Sequence, residues 1–338
     1  MRALVLTGPR AAAVLDVPDP VAGPGQVVVD VERAGVCGTD VELFTGELSY
    51  FHSGITAYPV RPGHEWCGVV TAVGPDVDES LLGRRVTGDT MIGCGRCVRC
   101  LSGRHHVCAA RDEVGIRGAI PGALAERLAV PAHTLHDLPD DLDAAAGAMV
   151  EPGGNALRCV HAAALAPGER LLVLGTGTIG LLTALFARAA KAEVHLLGRD
   201  PAQLALAREL GFQGAWTRPD LPDLAWDAVV DATNDPQAPA LALDLVEPGR
   251  RLVYIGLSGV RSDVDSREIA LKDVTAVGIL GASAGLPGAI AAYAWNSVDP
   301  RPLVGATIGL ADVPAVLAGH RPATAGPGPK LLVDPNLR

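Results

Sequence analysis

Apolar residues in the first 150 positions come in short runs separated by proline and glycine: "ALVLT", "QVVVDVERAGV", "GVVTAVG" and "RRVTGD". Such runs, rich in β-branched residues and bounded by turn formers, predict strands, so this part reads as a mostly-β domain. The pattern changes near residue 155. "RLLVLG", "AEVHLLG", "DAVVDA" and "RRLVYIG" then alternate with the Ala- and Leu-rich helical stretches "TIGLLTALFARAA", "PAQLALARELG" and "PALALDLV". That alternation predicts βαβ units around a parallel sheet, an α/β architecture. Beyond residue 300, "ATIGLADVPAVLAGH" and "PKLLVDP" read as a helix and a strand closing back on the first domain. The expected division is a β-rich domain over 1–154, a doubly wound parallel-sheet domain over 155–299 and a return over 300–338.

Composition narrows the partners. At 338 residues the chain suits two domains of roughly 100–200 residues each. A hydrophobic content of 49% with both charge signs and no low-complexity tract points to a globular protein rather than a disordered one. No apolar run approaches the ~20 residues of a membrane span, and "MRALVLTGPR" lacks the apolar core and cleavage site of a signal peptide, so a cytoplasmic location is expected. A formal charge of −10 with dispersed arginines argues against a nucleic-acid surface and for a small-molecule partner.

Four of the seven cysteines, Cys94, Cys97, Cys100 and Cys108, fall within "CGRCVRCLSGRHHVC". In a reducing compartment such clusters are metal ligands or redox groups more often than disulfides. The spacing C-x2-C-x2-C-x7-C suits four thiolates around a Zn²⁺ in a lobe over about 93–109, with Gly93, Gly95 and Gly103 supplying turns; an iron–sulfur cluster and reactive thiols are the competing readings. Four thiolates leave no open position, so this zinc would shape the chain and perform no chemistry.

"RLLVLGTGTIG" carries Gly175, Gly177 and Gly180 in G-x-G-x-x-G register, after an apolar run and before a helical one. That is the context of the dinucleotide fingerprint: two glycines for the tight turn and close pyrophosphate approach, the third for helix–strand packing. The free N–H groups at the start of the helix, at Thr178, Ile179 and Gly180, would meet the phosphates. Upstream, "GVCGTD" supplies Cys37, Thr39 and Asp40, "PGHEWCG" supplies His64 and Glu65, and "MVEPGG" supplies Glu151. A thiolate, an imidazole and one or two carboxylates form the ligand set of a catalytic zinc that keeps an open position. Taken singly, each has a structural alternative: a buried cysteine, a satisfied core histidine, surface or capping carboxylates.

In this order, "GVCGTD", "PGHEWCGVV", the four-cysteine lobe, "EP" and "VLGTGTIGLL" resemble the zinc-dependent medium-chain dehydrogenases, the superfamily of alcohol, sorbitol and threonine dehydrogenases, over nearly the whole chain. The resemblance implies a GroES-like catalytic domain, a Rossmann cofactor domain and an active site in the cleft between them. It implies two zinc ions per chain. Cys37 and His64 match the invariant part of the catalytic zinc site, Glu151 its carboxylate or thiolate ligand, Glu65 the carboxylate that binds directly or through water in many members, and Thr39 the hydroxyl of a proton relay. Glu42 stands where several polyol and threonine enzymes carry a histidine, so that relay does not transfer whole. The implied reaction is hydride transfer between the carbinol carbon of an alcohol, or the carbon of the matching ketone, and a nicotinamide, with the zinc acidifying the hydroxyl and Thr39 passing the proton outward.

The segment "ELSYFHSGITAYPVR" (47–61) reads either as a border of the substrate pocket, offering Ser49, Tyr50, His52 and Ser53, or as a solvated loop. "GHEW" resembles sorbitol-like and aminocyclitol dehydrogenases, which favours a sugar, polyol or cyclitol over a simple hydrophobic alcohol. A zinc-independent reductase and a non-catalytic zinc redox sensor are the readings from other classes. Cys67 and Cys159 read as buried small residues.

Asp200, followed by Pro201 and with Gln203 three residues on, reads as a helix N-cap with a capping-box partner. The strand end, where an acid would hold the ribose hydroxyls of NAD, then falls on Gly198, followed by Arg199, and Thr233 is a further cofactor contact. That pattern favours NADP or both cofactors, against an NAD enzyme in which Arg199 stacks on adenine. The β-branched "VTAVGIL" (274–280) reads as an open sheet edge and predicts a homodimer or homotetramer.

Overall fold

The computed structural model describes residues 1–118 and 120–337, and the chain divides into two compact units. Among the described residues, no helix is long and apolar enough to cross a membrane.

The first unit comprises residues 1–151, 304–326 and 330–338. Its seven-stranded sheet runs Val304–Gly309, Lys330–Asp334, Gln26–Val36, Glu65–Val73, Arg85–Gly88 and Leu135–Asp137, with Arg127–Pro131 also pairing with Gln26–Val36. The eleven-residue strand Gln26–Val36 is the spine. Its valines Val27, Val29 and Val31 are buried in a core with Leu4, Leu43, Trp66, Leu128 and Val333, as a half-buried β surface requires. Two register shifts against Glu65–Val73, between Val28 and Val29 and between Val31 and Arg33, place Gly35 opposite Glu65. On the other side of the spine, Leu331 lies opposite Val36 and Leu332 opposite Gly35. The C-terminal strand Lys330–Asp334 is thereby threaded beside the chain that leads into Cys37.

The second unit comprises residues 152–303 and 327–329. Six parallel strands lie in the order Gly214–Trp216, Glu193–Leu197, Arg170–Leu174, Trp226–Asp231, Val246–Tyr254 and Thr275–Gly278. The first strand in sequence sits in the middle, so the winding reverses on either side of it, and ligands bind such sheets at the strand ends beside the reversal. Those ends are level here. Leu174 is paired with Leu197 on one side and Asp231 on the other, so the turns beginning at Gly175, Gly198 and Ala232 emerge together. Leu172, Leu174, Val229 and Leu252 are buried on these strands, which accounts for continuous apolar runs in place of alternation.

Asp200 caps the helix Pro201–Glu209 by accepting from the Ala202 N–H at 2.9 Å, with Pro201 in the first turn. The expected partnership with Gln203 differs. Gln203 Oε1 accepts from the Thr176 hydroxyl at 3.0 Å, drawing Gln203 to the glycine turn.

Candidate functional site

Cys37 ends the spine region and is the N-cap of the helix Gly38–Thr45. The Cys37 N–H donates to Asp40 Oδ2 at 2.9 Å, and the Gly63 N–H donates to Asp40 Oδ1 at 3.2 Å. One buried carboxylate therefore ties together the two loops that carry Cys37 and His64. His64 follows at once, 5% exposed, its Nδ1 3.7 Å from Asp40 Oδ1 and without a hydrogen-bond partner. Burial opposes charge on this imidazole, but the Cys37 thiolate and Asp40 outweigh it and raise its pKa well above the usual histidine value.

Ligand atoms of Cys37, His64 and Glu65 all lie within 4.8 Å of one another. Their donor set, one sulfur, one nitrogen and one oxygen, fits a three-ligand zinc with an open position. Glu151, 5% exposed in the first turn of the helix Val150–Ala163, is not a member of that group. Glu65 meets an unanticipated partner. Lys330 Nζ lies 2.5 Å from Glu65 Oε2 and 2.8 Å from Oε1, and donates to the Val36 carbonyl at 3.0 Å. Both side chains are nearly fully buried. A Cβ on Gly35 would collide with the Glu65 carboxylate, so the glycine opposite Glu65 is what lets this side chain fold across the spine. Thr39 is half-buried in the first turn of the same helix, and burial, then the Glu47 carboxylate, raise the pKa of Glu42.

The four cysteines of the lobe also have ligand atoms within 4.8 Å. Cys97 Sγ is 3.5 Å from Cys100 Sγ and 3.8 Å from Cys108 Sγ, and Cys94 Sγ is 3.9 Å from Cys100 Sγ. Zn–S bonds of ~2.3 Å in a tetrahedron place sulfurs about 3.8 Å apart, so the lobe fits the ion. The N–H groups of Arg96 and Cys97 pull the Cys94 thiol down to about 6. By contrast, burial pushes Cys67 and Cys159 up to about 12, leaving them protonated and inert.

In the second unit, the three glycines of the turn differ in purpose. Gly175 has φ of +104° and its missing Cβ faces the Ala232 carbonyl. A Cβ on Gly180 would strike the Gly175 carbonyl. A Cβ on Gly177, the N-cap of the helix Thr178–Ala189, would meet nothing within 4 Å. No protein atom requires glycine there, whereas a pyrophosphate at the helix N-terminus does, and the residues fit a dinucleotide. Beside the turn, Asp231 is 1% exposed and accepts from the Thr233 N–H at 3.0 Å and its hydroxyl at 2.8 Å. Thr233 Oγ1 in turn accepts from the Asp235 N–H at 3.2 Å, so its hydroxyl is engaged inside the loop. Arg199 is 85% exposed in its side chain and 3.6 Å from Asp235. Gly198 packs on Thr176, whose side chain lies 2.7 Å from where a Cβ would stand.

Lys330 and the linking role of Asp40 escaped the sequence. A lysine at the start of a strand reads as a solvent-facing residue, and only the strand pairing turns it inward. Asp40 sits in a capping-box position, which signals a bond to the Cys37 N–H but not the second one to Gly63.

Comparison with known proteins agrees with this geometry. Residues 23–140 match the alcohol dehydrogenase GroES-like domain, and residues 178–295 match the zinc-binding dehydrogenase domain. The chain is 33% identical to the L-threonine 3-dehydrogenase of Cutibacterium acnes over 83% of its length and 84% of the relative's. It is 32% identical to that of Streptomyces avermitilis over 95% of both. Among solved structures, the alcohol dehydrogenase of Thermus sp. ATN1 superposes with a TM-score of 0.87 at 26% identity, covering 100% of both chains. A zinc-binding dehydrogenase relative from Sinorhizobium meliloti, bound to NADP, gives 0.87 at 29% identity over 99% of both. Family models, relatives and the two thiolate-bearing ligand clusters agree: the chain belongs to the zinc-containing medium-chain alcohol dehydrogenases and is a zinc-dependent NAD(P) dehydrogenase acting on CH–OH groups.

Proposed function

We propose that the protein oxidises a secondary alcohol of a polar, polyhydroxylated substrate, a sugar, polyol or cyclitol, with Cys37, His64 and Glu65 as ligands of the catalytic zinc and Glu151 as its reserve carboxylate. The observation that carries this reading is the convergence of one thiolate, one imidazole and one carboxylate within 4.8 Å, on loops pinned by a single buried aspartate. When bound, the zinc supplies an electrophile that makes the alcohol hydroxyl more acidic. The chain's own groups do the rest. Asp40 fixes the Cys37 backbone beside the Gly63 N–H, and Lys330 balances Glu65 so that the pocket is not overcharged. Thr39 takes the hydroxyl proton outward as hydride leaves for the nicotinamide. In the lobe, Cys94, Cys97, Cys100 and Cys108 hold a zinc with no chemical task.

Gly177 with the N–H groups of Thr178, Ile179 and Gly180 takes the pyrophosphate, and Gly198, Arg199 and Thr233 border the adenosine ribose. Arg199 is exposed, and its 3.6 Å approach to Asp235 is loose enough to yield to a 2′-phosphate. The NADP carried by the Sinorhizobium relative supports the same preference. A second reading, a β-hydroxy amino acid as substrate, is favoured by the names of the Cutibacterium and Streptomyces relatives.

A panel of polyols, aminocyclitols, L-threonine and simple alcohols, followed by nicotinamide absorbance, tests the proposal. The proposed class predicts the highest kcat/KM on a polyol or cyclitol. Highest kcat/KM on threonine would select the second reading, and highest kcat/KM on a simple alcohol would defeat both.

A further inference from the structure

A largely buried polar cluster joins the segment after the Cys37 helix to the chain that follows the four-cysteine lobe, and the metal and cofactor sites leave it unused. Tyr50, in the short helix Ser49–His52, donates its hydroxyl to Glu113 Oε1 at 2.8 Å and accepts from Arg111 Nη2 at 3.0 Å. Arg111 Nε donates to the same Glu113 oxygen at 2.7 Å, and its Nη1 reaches the Cys108 carbonyl at 3.3 Å. The side chains of Arg111 and Glu113 are only 13% and 4% exposed. Above them, the Arg117 guanidinium lies 5.5 Å from the centre of the Tyr50 ring.

The cluster is joined to both ligand sets by hydrogen bonds. Cys108 is the last cysteine of the lobe. Val114, next to Glu113, donates its N–H to the Thr90 carbonyl at 3.0 Å, and the Thr90 hydroxyl donates to the His64 carbonyl at 3.1 Å. A further bond, from the Thr56 hydroxyl to the Ile116 carbonyl at 2.9 Å, fixes the far end of the Tyr50 segment. Burying a charged pair costs desolvation that apolar packing would avoid, so its return is a fixed geometry rather than stability. Arginine suits that task, since its planar fork holds three acceptors at once, which lysine does not match.

We propose that Arg111, Glu113 and Tyr50 are positioning residues that hold the segment 47–56 in register with His64, and so set the affinity for the alcohol. The proposal rests on the reading that this segment borders the substrate. It makes the four-cysteine lobe a support for the substrate side of the site: one guanidinium grips both Cys108 and Tyr50.

The test compares the zinc-loaded parent with Tyr50→Phe, Arg111→Lys and their combination, using sorbitol, L-threonine and 2-propanol as probes. Tyr50→Phe should raise KM for the alcohol about tenfold while kcat, the KM for nicotinamide and the zinc content stay within about twofold, the signature of lost uniform binding. Hydrogen exchange of amides 47–56 should quicken by about tenfold, with the core strands unaffected. The double variant should lose less than the product of the single losses, by a factor of at least about three, because both act through one network. Ser49→Tyr places bulk on the exposed side of the same helix and leaves the cluster intact. If Ser49→Tyr alters the alcohol KM but Tyr50→Phe changes neither KM nor exchange, the positioning claim is overturned. If Tyr50→Phe loosens the segment while neither variant moves KM for any probe, the segment does not border the alcohol and the proposal falls with that reading.

Discussion

Lys330 places its ammonium 2.5 Å from one oxygen of Glu65 and 2.8 Å from the other, so the last strand of the chain supplies the counter-charge for a carboxylate in the Cys37–His64–Glu65 cluster. Both groups are out of water, where an ion pair contributes little over apolar packing but the loss of one partner is costly. The pair therefore couples the C-terminal strand to the Cys37–His64–Glu65 cluster.

A consequence is that Lys330→Met should destabilise the protein by about 3–5 kcal/mol when no cation is present to share Glu65. With zinc bound, the ion takes over part of that carboxylate's charge, and the penalty should shrink. Chemical unfolding of Lys330→Met in the parent background and in a Cys37→Ser background measures both. Equal losses in the two backgrounds would show that Glu65 does not serve the metal.

Asp40 offers a second test, because it accepts from the Cys37 N–H and from the buried Gly63 N–H. Asp40→Ala should cost about 2–5 kcal/mol from two unsatisfied donors and lower catalytic-zinc affinity by about 10–100-fold through misplaced ligands. Asp40→Asn keeps one acceptor and should lose less of both. Zinc titration against a competing chelator, with unfolding on the same variants, separates the two effects. Parent-like zinc affinity in Asp40→Ala would remove the linking role.

Cofactor choice can be read at Arg199, and the obvious variant at the neighbouring residue is a poor tool. Gly198→Asp would push a Cβ into Thr176, so any loss could come from a displaced glycine turn. Arg199→Ala removes the guanidinium without touching the fold, since that side chain is 85% exposed. A charge-assisted bond to a phosphate contributes about 1.5–3 kcal/mol, which is about 10–100-fold in kcat/KM for NADP against little change for NAD. An unchanged NADP/NAD ratio in Arg199→Ala would show that Arg199 does not meet the 2′-phosphate.

Assembly is expected along the strand Thr275–Gly278, which lies at one edge of the six-stranded sheet with Thr275, Ala276 and Gly278 exposed. Leu271, at the end of the preceding helix, is 79% exposed beside it in sequence. An open edge with exposed apolar residues pairs readily with a second copy. Light scattering at micromolar concentration should report a dimer or tetramer, and Thr275→Lys should shift it toward monomer. A monomeric parent would defeat the prediction.

Much of the fold was legible because period and punctuation carry it. The change at about 155 from Val-rich runs with Pro and Gly to alternating apolar strands and Ala/Leu helices announced the parallel sheet, and "LGTGTIG" marked the glycine turn at the end of its first strand. Cys37, His64 and Glu65 stood out as candidate ligands through residue type and motif context, and the fold brings their ligand atoms within 4.8 Å of one another. What stayed hidden depends on register. Gly35 reads as any glycine in a valine-rich strand until its pairing with Glu65 is known, and Lys330 reads as a surface lysine until Leu331 is set against Val36. Likewise Glu113 and Arg111 look like solvated charges after the lobe, and only the fold shows them buried against Tyr50.

The most direct measurement of the whole account is zinc per chain together with nicotinamide reduction in the parent, Cys37→Ser and Cys97→Ser. The account predicts two zinc ions per chain in the parent, both from ligand sets within 4.8 Å. Cys37→Ser should retain the lobe ion, lose the other and lose nearly all turnover. Cys97→Ser should lose the lobe ion and chiefly stability. Parent-level turnover in Cys37→Ser, with its zinc content unchanged, would contradict the central claim that Cys37 and His64 hold the ion that activates the alcohol.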